Sequence, residues 1–431
     1  MAKSYRPYYP EQDFLLPPSL REWLPENHLS YFVSEMIDQL DLSAIESYYE
    51  KEERGYPPYH PRMMTKLLVY GYCVGVFSSR KLAKRLVEDV AFRVLAAGNE
   101  PDFRTISEFR RIHLKALEGL FEQVLRLAME LGAMQLGRVA IDGSKVKANA
   151  SKHKAMSYRR MQEEEKRLGE EVRRMLAEAE QVDKEEDQRY GSGSRGDELP
   201  AELGRREQRL RRIAEAKREL EERARVEAEE KQTPEAKEAK PEPKAQHNFT
   251  DPESRMMKEP DGFVQAYNVQ IAVEPVLQLI VGQAVTQQAN DKKQLLPMIE
   301  KVQQQSGQRV SEVLADSGYC SEENLGAAQE KVDLYVATDK QKHHHVPPPC
   351  PRGPIPKSAT SVERMKRKLM TKAGRAIYAL RKTTVEPVFG QIKEGRGFRR
   401  FLLRGYEKVQ SEWALVCATH NLLKLYRVCC A

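Results

Sequence analysis

In the first 137 residues apolar positions recur every three or four places over 29–42, 63–77, 81–95 and 106–131, after a Pro-rich lead-in. That spacing predicts a helical N-terminal region. Ser78 and Ser79 are placed to cap the segment RKLAKRL, and Thr105-Ile-Ser-Glu108 has the form of a capping box for the last stretch. From Gly137 the period changes to two. RVAIDGSKVKA alternates as a strand does, and FVQAYNVQIAV and LQLIVGQAV continue the series as an antiparallel pair turning at Glu274-Pro275. VSEVLAD and VDLYVAT predict two more short buried strands, the first ending at Asp316, with helices over 292–305, 321–330, 375–394 and 408–427.

Between the first two strands lies a stretch of different character, 155–246, dominated by Glu, Lys, Arg and Ala. Met161, Leu168, Val172 and Met175 on one side of GSGSRGDELP, and Leu203, Leu210, Ile213 and Leu220 on the other, keep heptad-like spacing and predict a helical hairpin. KQTPEAKEAKPEPKAQ has no large apolar residue and is expected to be a disordered or loosely tethered linker. The division that follows is 1–137, helical; 138–154, the first strand; 155–247, the charged insertion, with subunit pairing as a weaker alternative to a simple appendage; and 248–431, the rest of an α/β domain with a mixed sheet.

Length and charge sharpen this picture. A chain of 431 residues exceeds one ordinary core. Its longest apolar run, 67–77, is interrupted by Tyr70, Gly71, Tyr72 and Gly75 and is too short to cross a hydrocarbon layer of about 30 Å. MAKSYRPYYPEQDF has no apolar segment of a secretory signal, so a cytoplasmic, nucleoid-associated protein without a membrane partner is expected. Six cysteines without C-x-x-C spacing predict reduced thiols and no zinc site, and His343, His344 and His345 fit a solvated loop. The net charge is +7, yet 351–404 alone carries fifteen Lys or Arg against three acids, a local +12. Concentrated positive charge suits a nucleic acid held by its phosphates; a solvated basic face is the alternative. Arg80, Lys81, Lys84 and Arg85 on one N-terminal helix, with Arg110, Arg111, His113 and Lys115 on the next, suit a helix-turn-helix-like DNA contact or plain solvation.

Three segments carry one carboxylate each in settings that suit a metal ligand. Asp142 lies in a strand beside Gly143 and is followed by Lys145, Lys147 and Lys152; Asp316 ends a strand, where it is also able to cap the helix that follows; Glu386 has Lys382 four residues before it and Lys393 seven after. Together they read as the acidic triad of a two-metal phosphoryl-transfer enzyme. Hard divalent ions take oxygen ligands from several chain segments and leave positions for phosphate. A surface salt-bridge ladder explains Lys382 but not Pro387, Val388, Phe389 and Gly390.

Taken jointly, DGSKVKANAS, DPESRMMKEPDGFVQAYNVQIAV, LADSGY and TVEPVFGQIK with GFRRFLLRG resemble the bacterial insertion-sequence transposases of the DDE class, over nearly the whole chain. The resemblance implies a ribonuclease H-like catalytic domain, two Mg²⁺ or Mn²⁺ ions held by Asp142, Asp316 and Glu386, and recognition of terminal inverted repeats followed by nicking and strand transfer into target DNA by a homo-oligomer, as a dimer. The family pattern of Tyr, Arg, Glu and Lys maps onto Tyr378, Arg381, Glu386 and Lys393, with one residue too many between Arg381 and Glu386. Either Arg381 or Lys382 therefore fills the cationic place. Arg399 and Arg400 join Lys145 and Lys147 as expected phosphate contacts. A nuclease of the same fold that does not join strands, and a non-catalytic DNA-binding copy, are the competing readings.

Overall fold

The alternating stretch after Gly137 forms β1 (Arg138–Lys147), the axis of a mixed sheet. The computed structural model describes residues 19–50, 57–134, 136–190, 201–230, 239–260, 262–329, 331–339, 350–351 and 353–430. GSGSRGDELP, the first half of the expected linker and His343 to His345 lie outside them.

Antiparallel to β1 runs β5 (Gly262–Val273), with Ala140 opposite Val273 and Lys147 opposite Ala266. The other edge of β5 is shared by β4 (Arg255–Glu259) along its first half and β6 (Ile280–Thr286) along its second, both antiparallel. On the far side of β1, β7 (Glu312–Ala315) and β8 (Asp333–Val336) pair in parallel. Glu274 makes the β5–β6 turn by accepting from the amides of Val276 (2.7 Å), Leu277 (2.7 Å) and Leu279 (3.0 Å). The strand β4 escaped the sequence pattern because RMMKE does not alternate.

Seven helices precede the sheet: α1 (Leu29–Asp38), α2 (Ser43–Tyr49), α3 (Pro61–Cys73), α4 (Ser79–Glu88), α5 (Val90–Leu95), α6 (Phe103–Ile112) and α7 (Leu114–Glu130). The stretches expected to be single helices are broken twice. Asp89 is extended and its carboxylate accepts from Ala91 N, ending α4 and capping α5. His113 divides α6 from α7. The expected Thr105–Glu108 capping box is not formed, because the helix starts earlier: Asp102 accepts from Thr105 N at 2.7 Å, and Glu108 pairs with Arg111.

The insertion contributes α8 (Tyr158–Tyr190) and α9 (Ala201–Glu230), rooted by a two-stranded sheet of β2 (Ala155–Ser157) and β3 (Gln246–Asn248). Tyr158, Met161, Leu168, Ile213, Ala216 and Leu220 form a small core between the two helices, separate from the main one. Ion pairs Lys217–Glu165 (2.7 Å) and Arg206–Glu171 (3.0 Å) tie them together.

Completing the chain are α10 (Leu295–Ser306), α11 (Glu322–Gln329), α12 (Ser361–Met370), α13 (Lys372–Thr384), α14 (Glu386–Gly390) and α15 (Tyr406–Cys429). A true capping box, Thr360 with Glu363, opens α12, which periodicity did not predict. Apolar on nearly every side, α15 packs on α3, α7 and β6, so one hydrophobic core runs without a break from the first helices into the sheet. The seam is polar at one place. Glu412 of α15, 1% exposed, accepts from Leu402 N (3.0 Å), Leu403 N (3.1 Å) and Tyr72 Oη (3.1 Å). Arg110 donates to Phe77 O (3.0 Å), Ser79 Oγ (3.3 Å) and Tyr72 Oη (3.4 Å). Arg110 and His113 are therefore buried, not displayed as the sequence reading had them. Among the described residues all six cysteines are free thiols, and no helix is long and apolar enough to cross a membrane.

Candidate active site

Parallel pairing sets Ile141 opposite Ala315, so the next residue of each strand, Asp142 and Asp316, emerges at the same end of the sheet. There the chain of Asp316 leaves the ladder and its carboxylate accepts from Gly318 N (2.8 Å), capping the turn Ser317–Tyr319. The capping role and a place at the crevice are thus compatible. Asp142 Oδ1 accepts from Gly143 N at 2.9 Å.

Glu386 arrives from across the sheet on a broken helix. Pro387 has no N–H to donate and its ring excludes the carbonyl four residues back, that of Thr383. The helix breaks at Val385, and Gln278 Nε2 donates to the released Thr383 oxygen at 2.9 Å. Past α14 the chain forms a π-helical turn, Gln391–Gly395. These two irregularities turn Val388, Phe389 and Ile392 into the core and reset the face that a continuous helix would have presented. Lys382, Glu386 and Lys393, whose spacing would put them on one face of an unbroken helix, accordingly do not share a face.

Arg381 is the cation that meets the acids. Its Nη2 donates to Glu386 Oε1 at 2.9 Å and its Nη1 to Asp142 Oδ2 at 3.4 Å, while Lys382 is exposed. Exposure falls along this bridge, from 49% for the Glu386 side chain to 19% for Asp142 and 11% for Arg381, so the site is open to solvent at Glu386 and largely buried at Asp142 and Arg381. Arg381 Nε is buried and has no hydrogen-bond partner among the described residues. Tyr378, one turn earlier, lies beside the same guanidinium, and burial pushes its hydroxyl above the ordinary range.

Burial pushes the Asp142 carboxyl up to about 7; Arg381 pulls it down, and Asp316 and Asp291 push it further up. The sign of the linkage follows. A folded value above the ordinary 3.8 means that protonation favours the fold, so the contribution is complete below pH 3.8 and is lost as pH rises through about 7. In EDTA, the contribution of Asp142 to thermal stability is expected to decline between about pH 4 and about pH 7, and to be absent in Asp142→Asn; scanning calorimetry of both proteins measures the difference.

Asp291 was not anticipated. It follows β6 in the polar run QQANDKKQ, which has the look of a surface loop, yet its Oδ1 accepts from Gln270 Nε2 (2.6 Å) and Asn268 Nδ2 (2.8 Å). A signal was available: Asn268 and Gln270 are buried polar residues in the middle of a strand and require partners.

Around this crevice the expected cations take different places. Lys393 is turned onto β1, where Nζ donates to Ser144 Oγ and Lys145 O, both at 2.7 Å. Burial lowers its pKa. Lys145 Nζ donates to Lys258 O. Lys147, Arg399 and Arg400 form an exposed rim at the end of β1, where Lys147 N donates to Arg399 O (3.2 Å) and Phe401 N to Lys147 O (2.9 Å); Arg399 pairs with Glu394. On the helical side, the Arg80 guanidinium lies 5.2 Å from the centre of the Phe103 ring, Lys84 pairs with Glu88 at 3.4 Å, and Arg111 is exposed beside Glu108.

Residues 18–111 match the model of a transposase domain, DUF772, and residues 355–426 match that of a transposase DDE domain. Together the two matches support an insertion-sequence transposase of the DDE class. No curated protein and no solved structure matches it. The second match spans Tyr378, Arg381, Glu386 and Lys393 of this transposase, and the first spans Arg80, Lys84, Arg110 and Arg111. Neither reaches Asp142 or Asp316, whose part in the site rests on geometry. Transposases of this class use divalent metals. Among the described residues no three His, Cys, Asp or Glu side chains are gathered to hold an ion, and between Asp142 and Glu386 lies Arg381. The donors at the crevice are nonetheless carboxylates, the oxygen chemistry that Mg²⁺ and Mn²⁺ take, and burial of Asp142 among other acids favours a cation there.

Proposed function

We propose that this transposase binds the terminal inverted repeats of an insertion sequence, nicks the strands at the element's ends and transfers them into target DNA, acting as a dimer with one end held by each copy. The observation that carries the reading is the Arg381 bridge: one guanidinium spans Asp142 and Glu386 where Asp316 emerges beside Asp142. Its order along the chain, an acid on the first strand, another after the parallel strand β7 and a third on a later helix, supports a ribonuclease H-like catalytic domain.

Asp142, Asp316 and Glu386 would hold two Mg²⁺ or Mn²⁺ ions. When bound, these supply activation of water or a 3′ hydroxyl as nucleophile and stabilise the leaving 3′ oxygen. The chain's own residues do the rest. Arg381, with its unpartnered Nε, is poised to exchange carboxylate for phosphate, which a guanidinium grips in the same bidentate fashion. Lys393 holds the π-helical turn against β1 and so fixes how far Glu386 stands from Asp142. Lys147, Arg399 and Arg400 position the DNA backbone without reading bases. Arg80, Lys84 and Arg111 are exposed and would take part in recognition of the repeats.

The deciding experiment supplies the full chain with pre-cleaved repeat ends, target DNA and Mg²⁺. Joined product is expected; hydrolysis without joining would leave a nuclease. Arg381→Ala is expected to cut joining about 10²-fold, as loss of one charge-stabilising donor does, without weakening Mn²⁺ binding. Lys382→Ala, measured alongside, should change the rate by less than about threefold, since its side chain meets none of the acids.

A further inference from the structure

Asp291 and the two glycines next to the site's aspartates describe a single fitted contact. A Cβ on Gly143, the residue after Asp142, would lie 2.4 Å from Asp291 Oδ1 and 2.4 Å from Gln270 Nε2. A Cβ on Gly318, two residues after Asp316, would lie 3.5 Å from Asp291 Oδ2 and 2.9 Å from Asp316 Oδ1. One carboxylate thus fills the room that the absent side chain of Gly143 leaves, touching the backbone beside Asp142 with one oxygen, and faces the turn capped by Asp316 at ordinary contact distance with the other.

Its hydrogen bonds join the same two elements. Gln270, which pairs with Gly143 across the β1–β5 ladder, donates through Nε2 to Asp291 and accepts through Oε1 from Tyr319 Oη, the tyrosine closing the Asp316 turn. A second tie runs in parallel: Asn324 Nδ2 donates to Tyr319 O (2.8 Å) and to the carbonyl of Lys292, the residue after Asp291. Gln270 and Tyr319 are fully buried, where an unmade bond costs about 1–3 kcal/mol, so the relay has little freedom to rearrange.

We propose that Asp291 is a positioning residue that fixes Asp142 and Asp316 relative to one another, setting the spacing at which their carboxylates share a divalent cation. This rests on the proposed reading of those two aspartates. It acts through acceptor geometry: Oδ1 gathers the two amides and the packing against Gly143 and Gly318 sets the distance.

The test compares Mn²⁺ binding to the full chain, followed by electron paramagnetic resonance, with the Mg²⁺ concentration that half-saturates joining of pre-cleaved ends. Asp291→Ala and Gly143→Ala are each expected to weaken Mn²⁺ binding and raise the Mg²⁺ requirement about tenfold, the range seen when a supporting hydrogen bond behind a metal ligand is lost. Asp291→Asn, which keeps an acceptor oxygen for Gln270 and Asn268, should recover most of both. Wild-type Mn²⁺ binding and joining in Asp291→Ala, with Asp142→Ala deficient in both, would overturn the proposal. So would Asp291→Asn as deficient as Asp291→Ala, which would make the charge decisive. Should Asp291→Ala not fold, Gly143→Ala decides in its place, weakened binding supporting the proposal and unchanged binding overturning it. If Asp142→Ala itself binds and joins normally, the reading of the site fails, and this proposal with it.

Discussion

Asp316→Asn is expected to reduce strand cleavage and joining about 10³-fold while leaving fold and DNA affinity nearly unchanged. The substitution is nearly isosteric, and an amide oxygen at this position still accepts from Gly318 N, so the capped turn Ser317–Tyr319 and the relay behind it survive. What it removes is a negative charge beside Asp142. A carboxylate that holds a catalytic cation contributes several kcal/mol to the transition state, and at about 1.4 kcal/mol per decade a loss near 4 kcal/mol gives the figure above. On the proposed reading, DNA is held by exposed cations elsewhere, Lys147, Arg399 and Arg400 on the rim and Arg80, Lys84 and Arg111 on the helices, and its affinity on general grounds follows salt and not this acid. Single-turnover cleavage in Mg²⁺, with melting temperature and filter-binding as controls, measures all three quantities. Activity within tenfold of wild type in a folded variant would remove Asp316 from the chemistry.

Glu412→Ala is expected to destabilise the transposase by about 3–5 kcal/mol, the range for removing one partner of a buried charge network. Three groups lose their acceptor at once, the buried Tyr72 Oη and the partly buried amides of Leu402 and Leu403, and Arg110 loses a nearby countercharge. Burial pushes the Glu412 carboxyl above its ordinary range, while the amides and Arg110 pull it back. An apolar replacement of both charges, Glu412→Leu with Arg110→Met, should recover part of the loss, because two well-packed hydrophobic side chains carry no desolvation cost. Urea denaturation of wild type, both single variants and the double gives the coupling directly. A loss under about 1 kcal/mol in Glu412→Ala would mean that water or a shifted backbone satisfies the seam.

How much of this was written in the chain can be judged element by element. The period-two pattern located β1, β5 and β6, and Glu274-Pro275 marked the turn between the last two. The sequence pattern also singled out Asp142, Asp316 and Glu386, because each sits beside a glycine, a turn or a proline that a plain strand or helix would not choose. Other features depend on the fold. Arg110 and Arg111 are neighbours on one helix, and the packing of α6 against α3 and α4, where Arg110 meets Tyr72, Phe77 and Ser79, makes one a core residue and leaves the other at the surface. The choice between Arg381 and Lys382 was likewise open in one dimension. It depends on the packing of α13 against β7 and β8, which brings Arg381 to Asp142 and leaves Lys382 exposed. Asp291 belongs to the same class: its loop is polar throughout, and its meaning comes from the cavity over Gly143.

The unbroken core beneath α3, α7, α15 and the sheet has a mechanical corollary. Among the described residues α4, which carries Arg80 and Lys84, and β1, which carries Asp142, share that core, so the molecule would act as a fixed-length gauge: if α4 grips the repeat, the scissile phosphate lies a set number of base pairs away. Inserting about five base pairs between the two would rotate the cut site to the opposite side of the double helix, out of reach, whereas about ten would restore its azimuth but not its distance.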